Sequence, residues 1–435
     1  MSWWVGSGVA FSVDPNILRA KSADRSGWAP PGLPSAVLFP AGAEEVARTL
    51  RLANAARTAV VPRGAGTALT GATTAGAGTV VLDLSRMNRI VALDADDGTA
   101  VVEPGVITAD LDRAATAVGL SYAPDPASFE ISTIGGNIAT NAGGLRCAKY
   151  GVTRDAVLGL EVVLADGSRL RTGRSTLKGV SGYDLTGLIV GSEGTLGVVV
   201  EATLRLRPLP RAAVTLAATF DDVARAAAAA VALTSARIQP AMAELLDAAT
   251  LRAIGGFDDA GALLIVQTDA PGDELVAEKV LAETARTVEV SDDPAALLAA
   301  RRRALPAIER LGRPLIEDIA VPRSRLAEAV TAIAAIAARH DVPICTLAHA
   351  GDGNLHPIIV ADPAATTIPD AVTRAADDIF ALALSLGGTL TGEHGIGTLK
   401  RAWLAREAGP VSHDLQRRIK ALFDPGHILN PGKAI

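Results

Sequence analysis

The sequence predicts a protein of the α+β class with more than one domain. Segments with the helical spacing of apolar residues are interleaved with short segments that have the two-residue period of strands. A length of 435 residues favours two or three domains. The Pro208-Leu209-Pro210 segment ends a strand pattern and predicts a domain boundary. Periodicity alone leaves the α/β class open as the alternative.

The local patterns give the order of the elements. Apolar residues at helical spacing predict a helix over 43–56, and strands are predicted at 59–61, 79–84, 100–103, 157–164 and 198–207. Beyond the boundary we expect a strand at 214–220, a helix at 223–235, a strand at 262–268 and a helix at 273–286. Further helices are predicted over 323–339 and 414–421.

Composition and charge narrow the classes of partner. Hydrophobic residues make up 49% of the chain, enough for a large core, and the formal net charge is −6. Because no basic stripe offsets this charge, neither nucleic acid nor an anionic membrane surface is expected as a partner. No apolar run is long enough to span a membrane. The two cysteines, Cys147 and Cys345, make no disulfide framework, so a cytoplasmic location is expected.

Three glycine-rich segments precede the boundary. They are 62–71 (PRGAGTALTG), directly after a predicted strand, 133–144 (TIGGNIATNAGG) and 191–197 (GSEGTLG). Glycine lets backbone N–H groups surround a phosphate, and small residues suit a backbone that lies flat against a planar ligand. The first segment is neither a Walker loop nor a good dinucleotide fingerprint. Taken alone it fits an ordinary loop equally well.

In this order the three segments, with 124–128 (PDPAS), resemble the flavin-binding domain of the vanillyl-alcohol-oxidase-like, PCMH-type FAD proteins. The resemblance implies that the first segment wraps the FAD pyrophosphate and that the second lies along the flavin. Asn430 could also contact FAD, although a turn before Pro431 explains it nearly as well. The FAD-contacting residues implied in this way are Pro62, Arg63, Gly64, Ala65, Gly66, Thr67, Asp125, Ser128, Thr133, Gly135, Gly136, Asn137, Thr140, Asn141, Glu193, Val199 and Asn430.

The attachment of FAD is expected to be non-covalent. Some relatives carry a histidine in the first segment and bind FAD covalently through it. Here Thr67 stands in that region, and no histidine precedes His340.

Three of the six histidines lie in two short, glycine-flanked segments, 349–356 (HAGDGNLH) and 392–395 (GEHG). Borderline divalent metals favour imidazole nitrogen together with carboxylate oxygen, so these segments predict a metal site. A histidine left over beside such a metal would suit proton transfer near neutral pH. A metallohydrolase is disfavoured, because the chain has no His-Glu-x-x-His and the glycine-rich segments would stay unexplained.

These segments and the ending 423–433 (FDPGHILNPGK) resemble the C-terminal part of the flavin-dependent 2-hydroxy-acid dehydrogenases. That group includes D-lactate dehydrogenases, glycolate oxidase FAD subunits and D-2-hydroxyglutarate dehydrogenases. The resemblance implies that His349, His356 and Glu393 bind a divalent metal, with zinc expected and manganese or iron as alternatives. It also implies that His394 is the general base and that the substrate hydride passes to flavin N5.

Two further positions bear on the substrate. Arg301 stands where the family has an arginine for the substrate carboxylate, with Arg302 as the alternative, and a guanidinium matches a carboxylate bidentately. Asn354 is expected to touch substrate, with the flavin as the alternative, although asparagine is also a common turn residue. Dicarboxylate-specific relatives place a lysine near Ile316, which this chain lacks. A monocarboxylate such as D-lactate or glycolate is therefore expected.

The resemblance also implies the division of the chain. We expect a PCMH-type FAD domain over 1–208 and a substrate cap of antiparallel sheet with helices over 209–387. A C-terminal segment over 388–435 is expected to lie again beside the flavin. Electrons are expected to pass to a quinone, an electron-transfer flavoprotein or an iron–sulfur partner subunit rather than to NAD, and a homodimer is left open.

Two other functions stay open at this point. One is a flavin oxidase or alcohol dehydrogenase of the same fold with another substrate, or a D-2-hydroxyglutarate dehydrogenase. The other is a non-catalytic flavin-domain subunit, which is disfavoured because the histidine and glutamate segments are present.

Overall fold

The computed structural model describes residues 2–27, 30–176, 178–210, 213–257, 259–291 and 293–435. The chain divides into two compact units. The first unit comprises Met1–Gly143, Gly151–Leu209 and Glu393–Ile435, and the second comprises Gly144–Tyr150 and Pro210–Gly392. Both contain helices and antiparallel strands, so the predicted α+β class is confirmed.

Three sheets form the framework of the first unit. Their strands are β1 (Ala10–Ser12), β2 (Ala36–Phe39), β3 (Ala59–Arg63), β4 (Thr79–Asp83), β5 (Ile90–Asp94), β6 (Thr99–Val102), β7 (Leu120–Ser121), β8 (Val157–Val163), β9 (Arg169–Gly173), β10 (Val198–Arg205) and β11 (Arg207–Pro208). The first sheet has the order β1-β2-β4-β3, the second β5-β6-β10-β8-β9, and the third pairs β11 with β7. In the first sheet β2, β4 and β3 run parallel, and the second is antiparallel.

The first unit also contains helices of different lengths. They are Pro15–Ser22, Ala43–Ala55, Thr108–Thr116, Ile134–Thr140, Thr153–Ala156, Leu185–Ile189 and Arg401–Phe423, after a 3₁₀ turn at Trp3–Gly6. Helix Ala43–Ala55 buries Val46, Leu50 and Ala53, the residues that recur at helical spacing, in one hydrophobic core with β2, β3 and β4.

The C-terminal chain extends the sheet beside β3. The Val60 N–H donates to the Ile428 oxygen at 2.7 Å, and the Asn430 N–H donates to the Val60 oxygen at 2.8 Å. Ile428 and Leu429 are buried in the same core as β3. This pairing fixes Asn430 next to the strand that leads into the first glycine-rich segment.

One long antiparallel sheet organises the second unit. Its strands are β12 (Val214–Phe220), β13 (Met242–Asp247), β14 (Ala262–Thr268), β15 (Thr287–Val290), β16 (Arg313–Ile316), β17 (Ile319–Ala320), β18 (Ile344–His349) and β19 (Asn354–Ala361). The order is β15-β12-β14-β13-β18-β19-β16, and β17 also pairs with β19. The helices of this unit are Cys147–Tyr150, Val223–Ser235, Ala248–Ile254, Asp273–Ala282, Pro294–Glu309, Leu326–His340 and Asp370–Ser385, with a 3₁₀ turn at Arg323–Arg325.

Several predicted elements have different bounds in the structure. The strand predicted over 198–207 is interrupted at Leu206, whose N–H donates to Gly98, so it forms β10 and β11. The last helix begins at Arg401 rather than at 414 and continues through a kink at Gly409, which has φ 71°. None of its residues is buried, so the apolar periodicity that reveals other helices is weak there.

Within the described residues, no helix combines the length and the apolar character that crossing a bilayer requires.

Candidate active site

A hairpin of the second unit carries the histidines of segment 349–356. Strand β18 ends at His349 and β19 begins at Asn354, and the register pairs His349 with Asn354 and Leu347 with His356. The two imidazoles are therefore diagonal neighbours on one face of the hairpin. Their ring centroids lie 4.9 Å apart with planes at 81°, and both residues are buried. The hairpin thus brings two imidazoles together, as a metal site requires.

Glu244 lies directly beside His349, on the neighbouring strand β13. The register pairs these two residues, and Glu244 is 0% exposed. Its Oε1 lies 2.5 Å from His349 Nδ1, and its Oε2 accepts a hydrogen bond from Arg301 Nε at 2.7 Å. Sequence reasoning missed Glu244. The available signal was one glutamate within the apolar run Met242–Leu246, where a carboxylate needs polar partners.

Arg301 belongs to helix Pro294–Glu309 and is 9% exposed. Arg302 and Arg303 on the same helix are exposed to solvent. Because successive residues of a helix point about 100° apart, only one of the three faces inward. The structure therefore buries Arg301, and not its alternative Arg302, against the carboxylate that contacts His349.

A second buried carboxylate, Asp318, binds Asn354, the residue paired with His349 at the same end of the hairpin. Its Oδ1 accepts from Asn354 Nδ2 at 2.7 Å, and its Oδ2 accepts from Thr391 Oγ1 at 2.6 Å. Asn354 Nδ2 also donates to the Ile319 oxygen at 2.9 Å. The amide nitrogen of Asn354 is thus bound by the protein itself, and its contact with substrate stays a prediction. Asp318 Oδ1 lies 3.7 Å from His356 Nδ1.

The Gly392–Gly395 segment forms a turn and not a strand. Glu393 and His394, both in the first unit, lie with Oε1 and Nε2 3.7 Å apart. The Glu393 carboxylate packs over Gly143, where an added Cβ would meet Glu393 Oε2 at 2.4 Å. Glu393 therefore lies against the end of the second glycine-rich segment, and a side chain at position 143 would displace its carboxylate.

Glu193, in the third glycine-rich segment, joins the segments of the first unit. Its N–H donates to the Ala139 oxygen at 2.7 Å, and its buried carboxylate accepts from the N–H groups of Ile396 and Gly397 at 2.7 and 2.8 Å. Burial raises the pKa of this carboxyl to about 7, against the opposing effect of these two hydrogen bonds and of nearby lysines. One buried side chain thus connects the third segment to the residues that follow His394.

The first glycine-rich segment closes on the second. A Cβ at Gly64 would lie 2.2 Å from Thr133 Oγ1, so the backbone of the first segment passes directly over Thr133. Arg63 is buried, and its Nη1 donates to Thr73 Oγ1 at 3.3 Å. Desolvation lowers the pKa of this guanidinium, opposed by Asp83 and Asp24. This contact joins the first segment to the second, and the bond from the Glu193 N–H to the Ala139 oxygen joins the second to the third.

Several side chains of the second glycine-rich segment form hydrogen bonds within the protein. Asn137 Nδ2 donates to Thr108 Oγ1 at 2.8 Å, Thr140 Oγ1 donates to the Gly136 oxygen at 3.3 Å, and Asn141 Oδ1 accepts from the Arg154 N–H at 2.9 Å. Val199 is buried in the core of the antiparallel sheet. Asp125 and Ser128 lie in an irregular stretch after β7. Any contact of these residues with FAD therefore stays a prediction.

Two known protein families match this chain. Residues 34–173 match the FAD binding domain, and residues 209–434 match the C-terminal domain of FAD linked oxidases. The chain belongs to the FAD-linked oxidase family. It is therefore an FAD-dependent oxidoreductase, as the sequence predicted.

Curated relatives of this FAD-linked oxidase extend over most of its length. The glycolate oxidase subunit GlcD of Bacillus subtilis (strain 168) is 45% identical over 418 residues, which cover 92% of this chain and 89% of that protein. The D-lactate dehydrogenase of Anaerostipes hadrus is 34% identical and covers 92% and 89%. The mitochondrial D-lactate dehydrogenase [cytochrome] of Arabidopsis thaliana is 36% identical and covers 93% and 74%.

Solved structures share the fold of this FAD-linked oxidase. p-Cresol methylhydroxylase with substrate bound aligns with a TM-score of 0.79 at 17% identity, covering 98% of this chain and 93% of that one. The isoeugenol complex of 4-ethylphenol oxidase from Gulosibacter chungangensis aligns at 0.76 and 21%, covering 98% and 94%. At this identity the likeness concerns the fold alone, and it confirms the expected PCMH-type architecture.

The residues of the first unit fit FAD. Asn430 is 1% exposed, and its Nδ2 donates to the oxygens of Ala72 and Glu193 at 2.9 and 2.7 Å. Its Oδ1 is buried and accepts no hydrogen bond from the described residues. A buried acceptor without a donor is costly, and a hydrogen-bonding ligand would remove that cost. This orphaned oxygen lies beside the glycine-rich segments.

Proposed function

We propose that this FAD-linked oxidase oxidises a 2-hydroxy acid of the D-lactate or glycolate type to the 2-oxo acid. The observation that carries the proposal is the buried guanidinium of Arg301, bound to the same carboxylate as His349. A buried arginine is suited to a substrate carboxylate, since its planar donors match two oxygens. The names of the curated relatives, glycolate oxidase subunit and D-lactate dehydrogenase, support the same substrate class.

The residues that would hold a divalent metal are His349, His356 and Glu393. Two buried imidazoles and a carboxylate are the donors that zinc prefers, with manganese and iron as alternatives. The Nδ1 of His349 faces Glu244, so Nε2 is the nitrogen that remains for a metal. When bound, such a metal supplies a Lewis acid that lowers the pKa of a coordinated hydroxyl.

His394 is assigned the proton of the substrate hydroxyl. Its Nδ1 is buried, so Nε2 is the nitrogen that would accept this proton. Glu393 Oε1 lies 3.7 Å from this Nε2. FAD, when bound, supplies the acceptor for the hydride. Arg301 orients the acid through its carboxylate during this step.

A small monocarboxylate is preferred over a dicarboxylate. No lysine occurs near Ile316, the last residue of β16, where dicarboxylate-specific relatives of the resembled family carry one. Electrons would leave to a quinone, an electron-transfer flavoprotein or an iron–sulfur partner subunit. The two cysteines of the chain are too few to ligate an iron–sulfur cluster here.

Anaerobic reduction of the purified holoprotein tests this function. D-lactate, glycolate, L-lactate, D-2-hydroxyglutarate and a para-substituted phenol are added separately, and the flavin absorption is followed. We expect D-lactate or glycolate to bleach the band fastest, and we expect EDTA treatment to abolish that bleaching until zinc, manganese or iron is restored. Faster reduction by the phenol would favour an alcohol or phenol oxidase. Faster reduction by D-2-hydroxyglutarate would overturn the monocarboxylate preference.

A further inference from the structure

We propose that Glu244 is a positioning residue that fixes the tautomer of His349 and the orientation of Arg301 together. The inference deepens the proposed function, because it assigns one buried carboxylate to the control of both a metal ligand and the substrate arginine. All three residues belong to the second unit. The contacts among them are made by the protein alone, within one unit.

The position of Glu244 in the sheet makes its side chain dependent on these contacts. Strand β13 lies between β14 and β18, and its residues 242–246 are buried. A carboxylate taken out of water at such a position costs several kcal/mol unless charged and hydrogen-bonded partners replace the water. Arg301 Nε and His349 Nδ1 are the partners, one for each carboxylate oxygen. Glu244 and its two partners thus depend on one another.

The chemistry of the two oxygens determines the tautomer of His349. The two oxygens of a carboxylate can only accept hydrogen bonds. At 2.5 Å from Glu244 Oε1, His349 Nδ1 must therefore carry the proton. In the neutral imidazole the lone pair then lies on Nε2, which is the form that can bind a metal through that nitrogen.

The same carboxylate constrains Arg301. Its Nε is engaged at 2.7 Å, and a guanidinium is planar, so binding through Nε fixes the plane in which both terminal nitrogens lie. Those terminal nitrogens are the pair suited to a bidentate contact with a substrate carboxylate. A displacement of Glu244 would therefore change the direction of this pair and the tautomer of His349 at once.

The carboxylate near His356 is placed differently from Glu244. Asp318, also fully buried, lies 3.7 Å from His356 Nδ1, beyond a hydrogen bond, and its two oxygens accept from Asn354 and Thr391. The short carboxylate–imidazole contact thus distinguishes His349.

Replacing Glu244 by glutamine keeps the shape but cannot serve both partners. If the amide oxygen accepts from Arg301, the NH₂ group faces His349 Nδ1, which must then accept, and the imidazole proton moves to Nε2. If the amide oxygen accepts from His349, the NH₂ group opposes the Arg301 N–H, and the arginine must turn away. The first arrangement changes the tautomer of His349, and the second removes the contact with Arg301.

The test begins with the metal-free protein labelled with ¹⁵N-histidine. Long-range ¹H–¹⁵N spectra report the tautomer of each imidazole, and His349→Gln assigns the signal. We expect His349 to carry its proton on Nδ1 in the wild type. In Glu244→Gln we expect one of two results. Either the His349 proton moves to Nε2, or the His349 tautomer is unchanged and the orientation of Arg301 is lost. In the second case the KM for the substrate should rise about 10-fold or more, with a smaller change in kcat. The matched control is Glu289→Gln, the same exchange at an exposed position of β15.

Zinc affinity is the second measurement, by chelator competition. Loss of such a carboxylate partner typically weakens metal binding by about 10–100-fold, and we expect this for Glu244→Gln but not for Glu289→Gln. A lowered melting temperature alone, with wild-type tautomer, zinc affinity and KM, would leave Glu244 a merely structural residue and overturn the proposal. If Glu244→Gln does not fold, Glu244→Asp, which keeps the charge but is one methylene shorter, is measured instead. It should lose one of the two contacts and show the same KM or zinc change.

Failure of this inference is distinguishable from failure of the proposed function. A wild-type protein that binds no zinc and is not reduced by any 2-hydroxy acid would contradict the function. The tautomer of His349 in the metal-free wild type tests the inference independently. A proton on Nε2 there would contradict the inference whatever the substrate.

Discussion

Asn430 donates its side-chain amide to the backbone oxygen of Glu193 at 2.7 Å, although 237 positions separate the two residues in the sequence. The contact joins the C-terminal chain to the third glycine-rich segment within the first unit. Since Glu193 also accepts hydrogen bonds from the residues after His394, two distant C-terminal stretches depend on one buried residue.

Asn430→Asp should destabilise the protein and weaken FAD binding. The substitution keeps the shape and the capacity for positive φ, here 40°, but replaces the amide donor by an oxygen that faces two carbonyl oxygens. Leaving buried groups unpaired costs about 1–3 kcal/mol each, so we expect a loss of at least ~2 kcal/mol in the free energy of unfolding. Denaturant unfolding of the apoprotein and FAD titration by fluorescence measure the two effects. Asn16→Asp, at an exposed position, is the control and should match the wild type.

Glu193 should make the stability of the apoprotein depend on pH. Burial raises the pKa of its carboxyl from 4.5 to about 7 in the folded chain, so the folded state holds the proton more tightly than the unfolded state. The stabilisation is complete below pH 4.5 and is lost as the pH rises through about 7. This group should lower the free energy of unfolding by on the order of 3 kcal/mol across that window.

Denaturant unfolding at several pH values between 5 and 8 tests the dependence on Glu193. Glu193→Gln has no proton to lose and should flatten the decline, whereas Glu201→Gln, at a half-buried position of the nearby strand β10, should retain it. An equal slope in the wild type and in Glu193→Gln would assign the pH dependence to other groups.

Arg301→Lys should raise the KM for the 2-hydroxy acid by about 10-fold or more, with a smaller effect on kcat. Lysine keeps the charge but loses the planar pair of donors and the Nε contact with Glu244. Steady-state kinetics with an artificial electron acceptor provide the measurement. Arg302→Lys is the matched control, since it makes the same exchange one residue along the helix at an exposed site. Equal kinetics of the two variants would remove Arg301 from substrate binding.

His394→Ala should slow flavin reduction by about 10²–10⁴-fold while FAD and metal stay bound, as expected for loss of a general base. His349→Ala should instead lose metal. Stopped-flow reduction by substrate and metal analysis of the same samples separate the two roles. His427→Ala, an exposed histidine of the C-terminal chain, serves as the control. Wild-type reduction by His394→Ala would mean that another group takes the proton.

Much of the architecture follows from local sequence patterns. Strand 214–220, helix 223–235 and strand 262–268 have the predicted bounds, because each is a short run whose period and flanking turn residues agree. The helix over 401–423 was recognised only in its last third. Its residues stay accessible to solvent, so no apolar stripe records it in the sequence.

The sequence by itself determined the residue types of the candidate site. The glycine-rich segments and the two histidine segments are short stretches of consecutive residues whose chemistry is specific, and they pointed to the family that the comparison shows. Tertiary structure alone decided which charges are buried together. Glu244, Arg301 and His349 come from three separate elements, and only the sheet register and the inward face of one helix turn unite them. The choice of Arg301 over Arg302 has the same origin. Burial and long-range pairing depend on how elements pack, and local periodicity does not encode the partner across the sheet.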